Sequence, residues 1–537
     1  MFRTAELGRV VSKEQYHDVL PTLRTELLEM QQRLRAAPFP VIIVFAGVDG
    51  AGKAQTVNQL NEWLDPRWLI NRAFGSPSDE EAERPEYWRY WRELPPKGRI
   101  GLFLKTWYSP SLLDRVHQRM SEAEFDEALD RVIAFENGLA DDGALIIKFW
   151  MHLGKKAQKQ RLQALEKDPL TRWQITQTAW DHWHLYDRFI VAAERTITRT
   201  STANATWHIV EGYDKRYRTL TVGTTILQAI GQHFADTETR LKILAEKRKH
   251  TDRAVASGPA PGAAPPTDKP LPEALVIQMP RVTILSRLDM NRALGKKEYK
   301  DALVKLQGRL RLSSRRAKEL GLATILVLEG WDAAGKGGAI RRITAALEAT
   351  DYQVISIAAP SDEEKAQHYL WRFWRHLSRA GRFTIYDRSW YGRVLVERAE
   401  RFAAESEWRR AYSEINDFED QLVRHGIVLC KFWMHITKDE QLARFKVREG
   451  TSYKRWKLTE EDWRNRDKWD DYEVAVNDMV ERTSTAIAPW TLVEGNDKRF
   501  ARIKALSTVC DRLQAGIDGR EASAAKAVQG RKLKETG

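Results

Sequence analysis

The stretch ATILVLEGWDAAGKGGAIRRITAALE, residues 323–348, decides the fold. Its apolar opening reads as a buried strand. Gly330, Gly335 and Lys336 then take the spacing G-x-x-x-x-G-K, and GGAIRRITAALE (337–348) reads as the helix that follows. In such a loop successive backbone N–H groups cradle phosphate oxygens at a helix N-terminus, and the lysine bridges neighbouring phosphates as a mobile point charge. The phosphate-binding candidates are therefore Gly330, Ala333, Ala334, Gly335, Gly337 and Gly338 around Lys336. The motif ordinarily ends in Ser or Thr, whose hydroxyl holds magnesium, but here Gly337 stands in that place. A metal must then find other oxygen ligands, and Asp332 inside the loop is the first candidate. The bland alternative is a chance glycine-rich turn. A strand before it, a helix after it and a second copy in the same chain argue against that.

The second copy is GVDGAGKAQ, residues 47–55, after the apolar run VIIVFA. Lys336 minus Lys53 sets an offset of 283. The same offset carries Trp88-Arg89 onto Trp371-Arg372, Lys148-Phe149-Trp150-Met151-His152 onto Lys431-Phe432-Trp433-Met434-His435, and Glu211-Gly212 onto Glu494-Gly495. One ungapped offset over that length means tandem domains rather than a short-repeat array. We expect a first domain at 1–249, a Pro/Ala-rich linker at 250–280, a second domain at 281–520 and a flexible tail at 521–537. Further apolar strands, YQVISIAA, FTIYD and IVLCKFW, alternate with helix-length segments. The fold class is therefore α/β: two tandem P-loop kinase-like domains, each a parallel sheet flanked by helices, with ligands at the carboxyl ends of the strands.

In the second copy FTIYDRSWYGR (383–393) places Asp387 at a strand end, followed by Arg388 and Arg393. An acid at the end of a neighbouring strand is where a P-loop enzyme holds its metal, and the arginines can offset charge on a transferring phosphoryl group. A structural Asp–Arg surface pair is the alternative. WRFWR (371–375) puts Trp371 and Trp374 on one helical face as packing residues, with Arg372 and Arg375 as candidate phosphate contacts. Between Arg444 and Lys468 lie nine basic and five acidic residues. That run is either a solvated helix face or a basic lid over a polyanion.

Carried back by the offset, Asp387 meets Leu104, Arg388 meets Lys105 and Arg393 meets Pro110. The stretch matching the lid, Arg161 to Leu185, holds three bases and three acids. Asp49 and Lys53 survive, but leucine cannot ligate a metal. The first domain accordingly reads as catalytically inactive.

Bulk composition narrows the partners. The chain of 537 residues has a formal net charge of +13, which favours polyanions: nucleic acid, acidic lipid, nucleotides or long inorganic phosphates. No apolar run near the first loop approaches a membrane span, and the first residues lack a secretory core. Cys430 and Cys510 form no disulfide framework or metal spacing, so a reducing cytoplasm is the expected home.

GWDAAGKGG, YLWRFWRHL, GRFTIYDRSWYGRVLVERAE, KFWMHI and RTSTAIAPWTLVEG resemble the second polyphosphate kinase family, in its two-domain subclass. That resemblance implies phosphoryl transfer from inorganic polyphosphate to AMP, giving ADP, with Mg²⁺. It also implies a thymidylate-kinase-like fold with a helical lid, homo-oligomers, and neither membrane nor nucleic acid as partner. Asp332, Lys336, Asp387, Arg388 and Arg393 match the family's active-site motifs, Asp332 and Asp387 being the metal ligands. Lys431 and the lid bases Arg448, Lys454 and Arg455 are added to the phosphate-binding set. Two rivals stand beside this reading: an NTP-dependent nucleoside monophosphate kinase, and a basic, Trp-rich nucleic-acid-binding protein.

Overall fold

A computed structural model describes residues 1–256, 282–451 and 460–535. Lys454, Arg455 and most of the expected linker lie outside the described residues. The described chain falls into two compact units. The first draws on Met1–Ser76 and the chain from Glu93 up to the linker, the second on Pro77–Arg92 and the second repeat.

Each unit is built on a five-stranded parallel sheet. In the first, β1 (Val41–Gly47), β2 (Leu69–Ala73), β3 (Ile100–Leu104), β4 (Leu145–His152) and β5 (Trp207–Glu211) lie in the order β2-β3-β1-β4-β5. In the second, β6 (Thr324–Gly330), β7 (Tyr352–Ser356), β8 (Phe383–Asp387), β9 (Val428–His435) and β10 (Trp490–Glu494) repeat that topology as β7-β8-β6-β9-β10. The central strands have apolar side chains on both faces because helices cover both, which is the usual condition of a parallel sheet. Val41 through Phe45 and Ile325 through Leu328 are all buried.

Local chemistry sets the element ends. Ser12 and Ser121 each close a capping box at a helix start, with Gln15 and Glu124 answering three residues on. The helix at the end of the first repeat runs Lys215–Ala256, past the expected linker start at 250. The tail is helical through Glu535, as its Ala-, Lys- and Glu-rich sequence favours. No helix among the described residues is long and apolar enough to cross a membrane.

Register then positions the loops. Gly330 pairs with Met434 and Gly47 with Met151. Each glycine has a positive φ, and a Cβ on it would lie 2.4 Å or 2.0 Å, respectively, from the partner's carbonyl oxygen. Only glycine lets the chain leave the central strand so close to its neighbour. On the other side Leu328 pairs with Asp387, which brings that acid to the same end of the sheet as the loop.

Candidate active site

In the second unit the loop between β6 and the helix Lys336–Thr344 turns through left-handed backbone at Ala333 (φ 64°) and Gly335 (φ 111°). A left-handed alanine is strained, and such strain collects at functional loops; the first unit has Gly50 at the matching place. Lys336 folds back so that its ammonium donates to Gly330 O at 2.6 Å and Trp331 O at 3.2 Å. A Cβ at Gly335 or Gly337 would meet nothing within 4 Å, whereas one at Gly338 would lie 3.5 Å from the Arg502 guanidinium.

Asp332 is the electrostatic centre. Its Oδ1 accepts from Arg388 Nη2 at 3.1 Å and its Oδ2 from Asn465 Nδ2 at 2.9 Å. Burial pushes the Asp332 carboxyl up, but Lys336, Arg388 and the Asn465 hydrogen bond outweigh it and hold it below its ordinary value. Arg388 has φ 65° and donates its backbone N–H to Leu328 O at 3.1 Å, so the turn after β8 is tied to the strand that feeds the loop. Asp387, one residue earlier, is half-buried at its strand end. Arg393 lies at the end of the turn Trp390–Arg393, with its guanidinium 3.1 Å from Glu397 and over the Tyr369 ring.

The loop carboxylate of Asp332 and that of Asp387 at the end of the neighbouring strand are donors that fit a divalent cation, whose shell waters and substrate phosphates can complete. Among the described residues no group of three or more His, Cys, Asp or Glu side chains could hold a metal by protein ligands alone.

Several expected contacts fall elsewhere. Lys431 is fully buried in the middle of β9, where it donates to Glu419 at 2.6 Å, Tyr391 OH at 2.9 Å and Thr483 O at 2.7 Å. All three ammonium hydrogens are used, so its assignment to phosphate is corrected. Arg372 turns to Ala358 O and Glu364, and Arg375 to Glu363, all on their own segment. The structure does not bring either arginine to the loop. Trp371 and Trp374 are buried, as packing residues should be.

The expected lid divides as well. Arg444 is not a lid base facing solvent: it is buried beneath the loop and donates to the carbonyls of Ala333, Ala334, Gly495 and Asn496 at 2.6–3.2 Å. By holding carbonyls on one side it leaves the loop's N–H groups to the other. Arg464 and Lys468 pair with Glu400, and Arg466 donates to Lys438 O. Arg448 is half-buried, one turn beyond Arg444 on the helix Lys438–Glu449.

Asn465, Glu329 and the loop-pinning role of Arg444 escaped the sequence reading. Glu329 had a signal, since the offset of 283 sets it against Ala46. Asn465 had a weaker one, because the same offset sets it against His182, which binds Asp49 at 2.7 Å in the first unit. There the loop keeps its lysine fold, with Lys53 donating to Gly47 O at 2.6 Å and Val48 O at 2.8 Å. Arg218 takes over the pinning, donating to Gly212 O at 3.0 Å and Thr56 Oγ1 at 3.1 Å.

A glycine-rich loop with its lysine, an acid on the neighbouring strand and an arginine between them, all at the carboxyl end of a parallel sheet, define a phosphotransferase of the P-loop class. The family model for polyphosphate kinase 2 matches residues 10–238 and again 293–519, and the chain belongs to that family. A polyphosphate:AMP phosphotransferase of Pseudomonas aeruginosa is 50% identical over 96% of this chain and 99% of its own. A protein of the same name from Pseudomonas syringae is 46% identical over 96% of this chain and 98% of its own. A crystal structure described as a polyphosphate kinase 2 from Pseudomonas aeruginosa PA01 superposes with a TM-score of 0.82 at 47% identity, covering 96% of this chain and 99% of that one.

Proposed function

We propose that the second unit transfers the terminal phosphoryl group of inorganic polyphosphate to AMP, giving ADP and a chain one phosphate shorter. The observation that carries this reading is the junction of Asp332, Arg388 and the Lys336 loop with Asp387 one strand away, which the first unit lacks. The names of the two Pseudomonas relatives supply the donor and acceptor.

An oxygen of the AMP phosphate forms the new P–O bond as the bridging P–O bond of the chain breaks. The second pKa of a phosphate monoester is about 6, so the attacking oxygen is already deprotonated at neutral pH and a strong general base is unnecessary. What remains is positioning and charge. The loop amides and Lys336 hold the terminal phosphate, and Arg388 and Arg393 offset charge as it develops. Asp332 and Asp387 would hold Mg²⁺, which supplies Lewis-acid neutralisation of the transferring group. The first unit serves assembly or chain binding, and the whole acts as a cytoplasmic homo-oligomer.

The test is ADP formation from AMP, long-chain polyphosphate and Mg²⁺ without any NTP, for wild type, Lys53→Ala and Lys336→Ala. Loss confined to Lys336→Ala is the expected result. Equal losses would mean that the first loop takes part in transfer. Turnover only when ATP is the donor would replace this reading with an NTP-dependent kinase.

A further inference from the structure

Glu329 is the residue of β6 next after Leu328, which pairs with Asp387, and it is 5% exposed. Its Oε1 accepts a hydrogen bond from Ser389 Oγ at 2.7 Å. Ser389 Oγ in turn accepts from the Tyr391 N–H at 3.3 Å and so caps the turn Trp390–Arg393. One buried carboxylate therefore stands under the segment that carries Asp387, Arg388 and Arg393.

The first unit shows what happens without it. Ala46 replaces Glu329, and Thr106, in the place of Ser389, has a buried hydroxyl without a hydrogen-bond partner. Leu104, Lys105 and Pro110 stand for Asp387, Arg388 and Arg393, and the capped turn is replaced by the helix Ser109–Val116. Yet the framework beside it is kept: Trp107 and Tyr108 still donate to Glu136, as Trp390 and Tyr391 do to Glu419. A carboxylate needed only by the fold would have been retained like Glu136. Glu329 differs between the copies together with the active-site residues.

We propose that Glu329 is a positioning residue for phosphoryl transfer, fixing through Ser389 the turn that aims Asp387, Arg388 and Arg393 at the loop. This rests on the reading of the second unit as the site of transfer. Burial pushes the Glu329 carboxyl up, while the Ser389 hydrogen bond and the nearby Lys336 and Arg388 pull it back. Burial is the largest of these causes and leaves the carboxyl above its ordinary value.

The test compares full-length wild type with Glu329→Ala, Glu329→Gln and the double variant Glu329→Ala/Ser389→Thr. The double variant copies the alanine and threonine with which the first unit folds, so its melting temperature should match wild type. We expect kcat to fall about 10²-fold in Glu329→Ala and in the double variant. KM for AMP and polyphosphate should stay within about 3-fold, as for an interaction felt only in the transition state. Glu329→Gln keeps the Oε1 acceptor and should recover to within about 10-fold of wild type. Wild-type kcat in a folded Glu329→Ala would overturn the proposal, and so would an equal loss in Ala and Gln or a loss that appears mainly in KM. Each protein is assayed with polyphosphate and, separately, with ATP as donor. A wild type active only with ATP rejects the polyphosphate reading, while the same comparison of kcat, now with ATP, still decides the role of Glu329.

Discussion

Lys148 donates to Glu136 at 2.7 Å and to Thr200 O at 2.7 Å; Lys431, in the second unit, donates to Glu419 at 2.6 Å and to Thr483 O at 2.7 Å. Four residues further along each of those strands lies a buried histidine, and beyond it the two copies part company. At the strand ends the second unit holds Glu329, Asp387, Arg388 and Arg393 where the first holds Ala46, Leu104, Lys105 and Pro110. The comparison separates two kinds of charged residue. Those that tie elements together in the core are duplicated almost to the ångström, because deleting one partner of a buried pair leaves an uncompensated charge. Those at the open end of the sheet are under no such constraint, and they differ as a block.

The largest effect should come from making the second unit resemble the first. Asp387→Leu combined with Arg388→Lys removes a metal-ligand candidate and the guanidinium that donates to Asp332 Oδ1, and steady-state ADP formation should fall by about 10³-fold or more. The melting temperature should hold, since the first unit folds with Leu and Lys at these places. Retention of activity within about 10-fold would break the comparison at its centre. The reverse exchange, Leu104→Asp with Lys105→Arg on a Lys336→Ala background, should restore nothing, because Ala46 and Pro110 remain.

The loops, their strands and the duplication were legible because they are local: a glycine spacing, an apolar run, a constant offset. Asp387 and Arg388 were legible because a strand end is also a local feature. Lys431 was not, although one clue was present: it lies mid-strand, in register with Trp490 and Val327, and cannot reach the carboxyl end of the sheet. Its exact recurrence as Lys148 marked it as framework. Arg444 was counted among the lid bases because helical charge runs look solvated in sequence, and only the folded chain shows its guanidinium among four loop carbonyls. Glu329 was hidden for the opposite reason. Its partner Ser389 is sixty residues away, and a lone acid ending an apolar strand carries no pattern of its own.

The duplicated pairs give the next test. Lys431→Met and Lys148→Met should each cost about 3–5 kcal/mol of stability in urea unfolding of the full chain, since each strands a buried glutamate. The two costs should agree within about 1 kcal/mol, the buried geometry being the same. Under conditions where the protein stays folded, Lys431→Met should leave KM for polyphosphate unchanged. A raised KM would return Lys431 to the phosphate-binding set.

The smallest effect concerns the two histidines. His435 Nδ1 accepts from the indole N–H of Trp331 at 3.1 Å and of Trp433 at 3.4 Å. An indole nitrogen only donates, so this nitrogen must stay unprotonated. Burial, the largest cause, pulls the His435 pKa from 6.5 to about 4 against the opposing charge of Glu494. In the first unit Val48 replaces Trp331, and His152 instead meets Glu6 at 2.8 Å, which works against the lowering that burial imposes. An unfolded histidine takes up a proton as pH falls through 6.5, whereas folded His435 does not until about 4. The stability it leaves intact at neutral pH is therefore lost progressively across that window, reaching about 2 kcal/mol by pH 5. His435→Asn should flatten the fall in melting temperature between pH 6.5 and 4, and His152→Asn should flatten it less. Equal flattening would mean that Glu6 gives His152 no protection against the lowering that burial imposes.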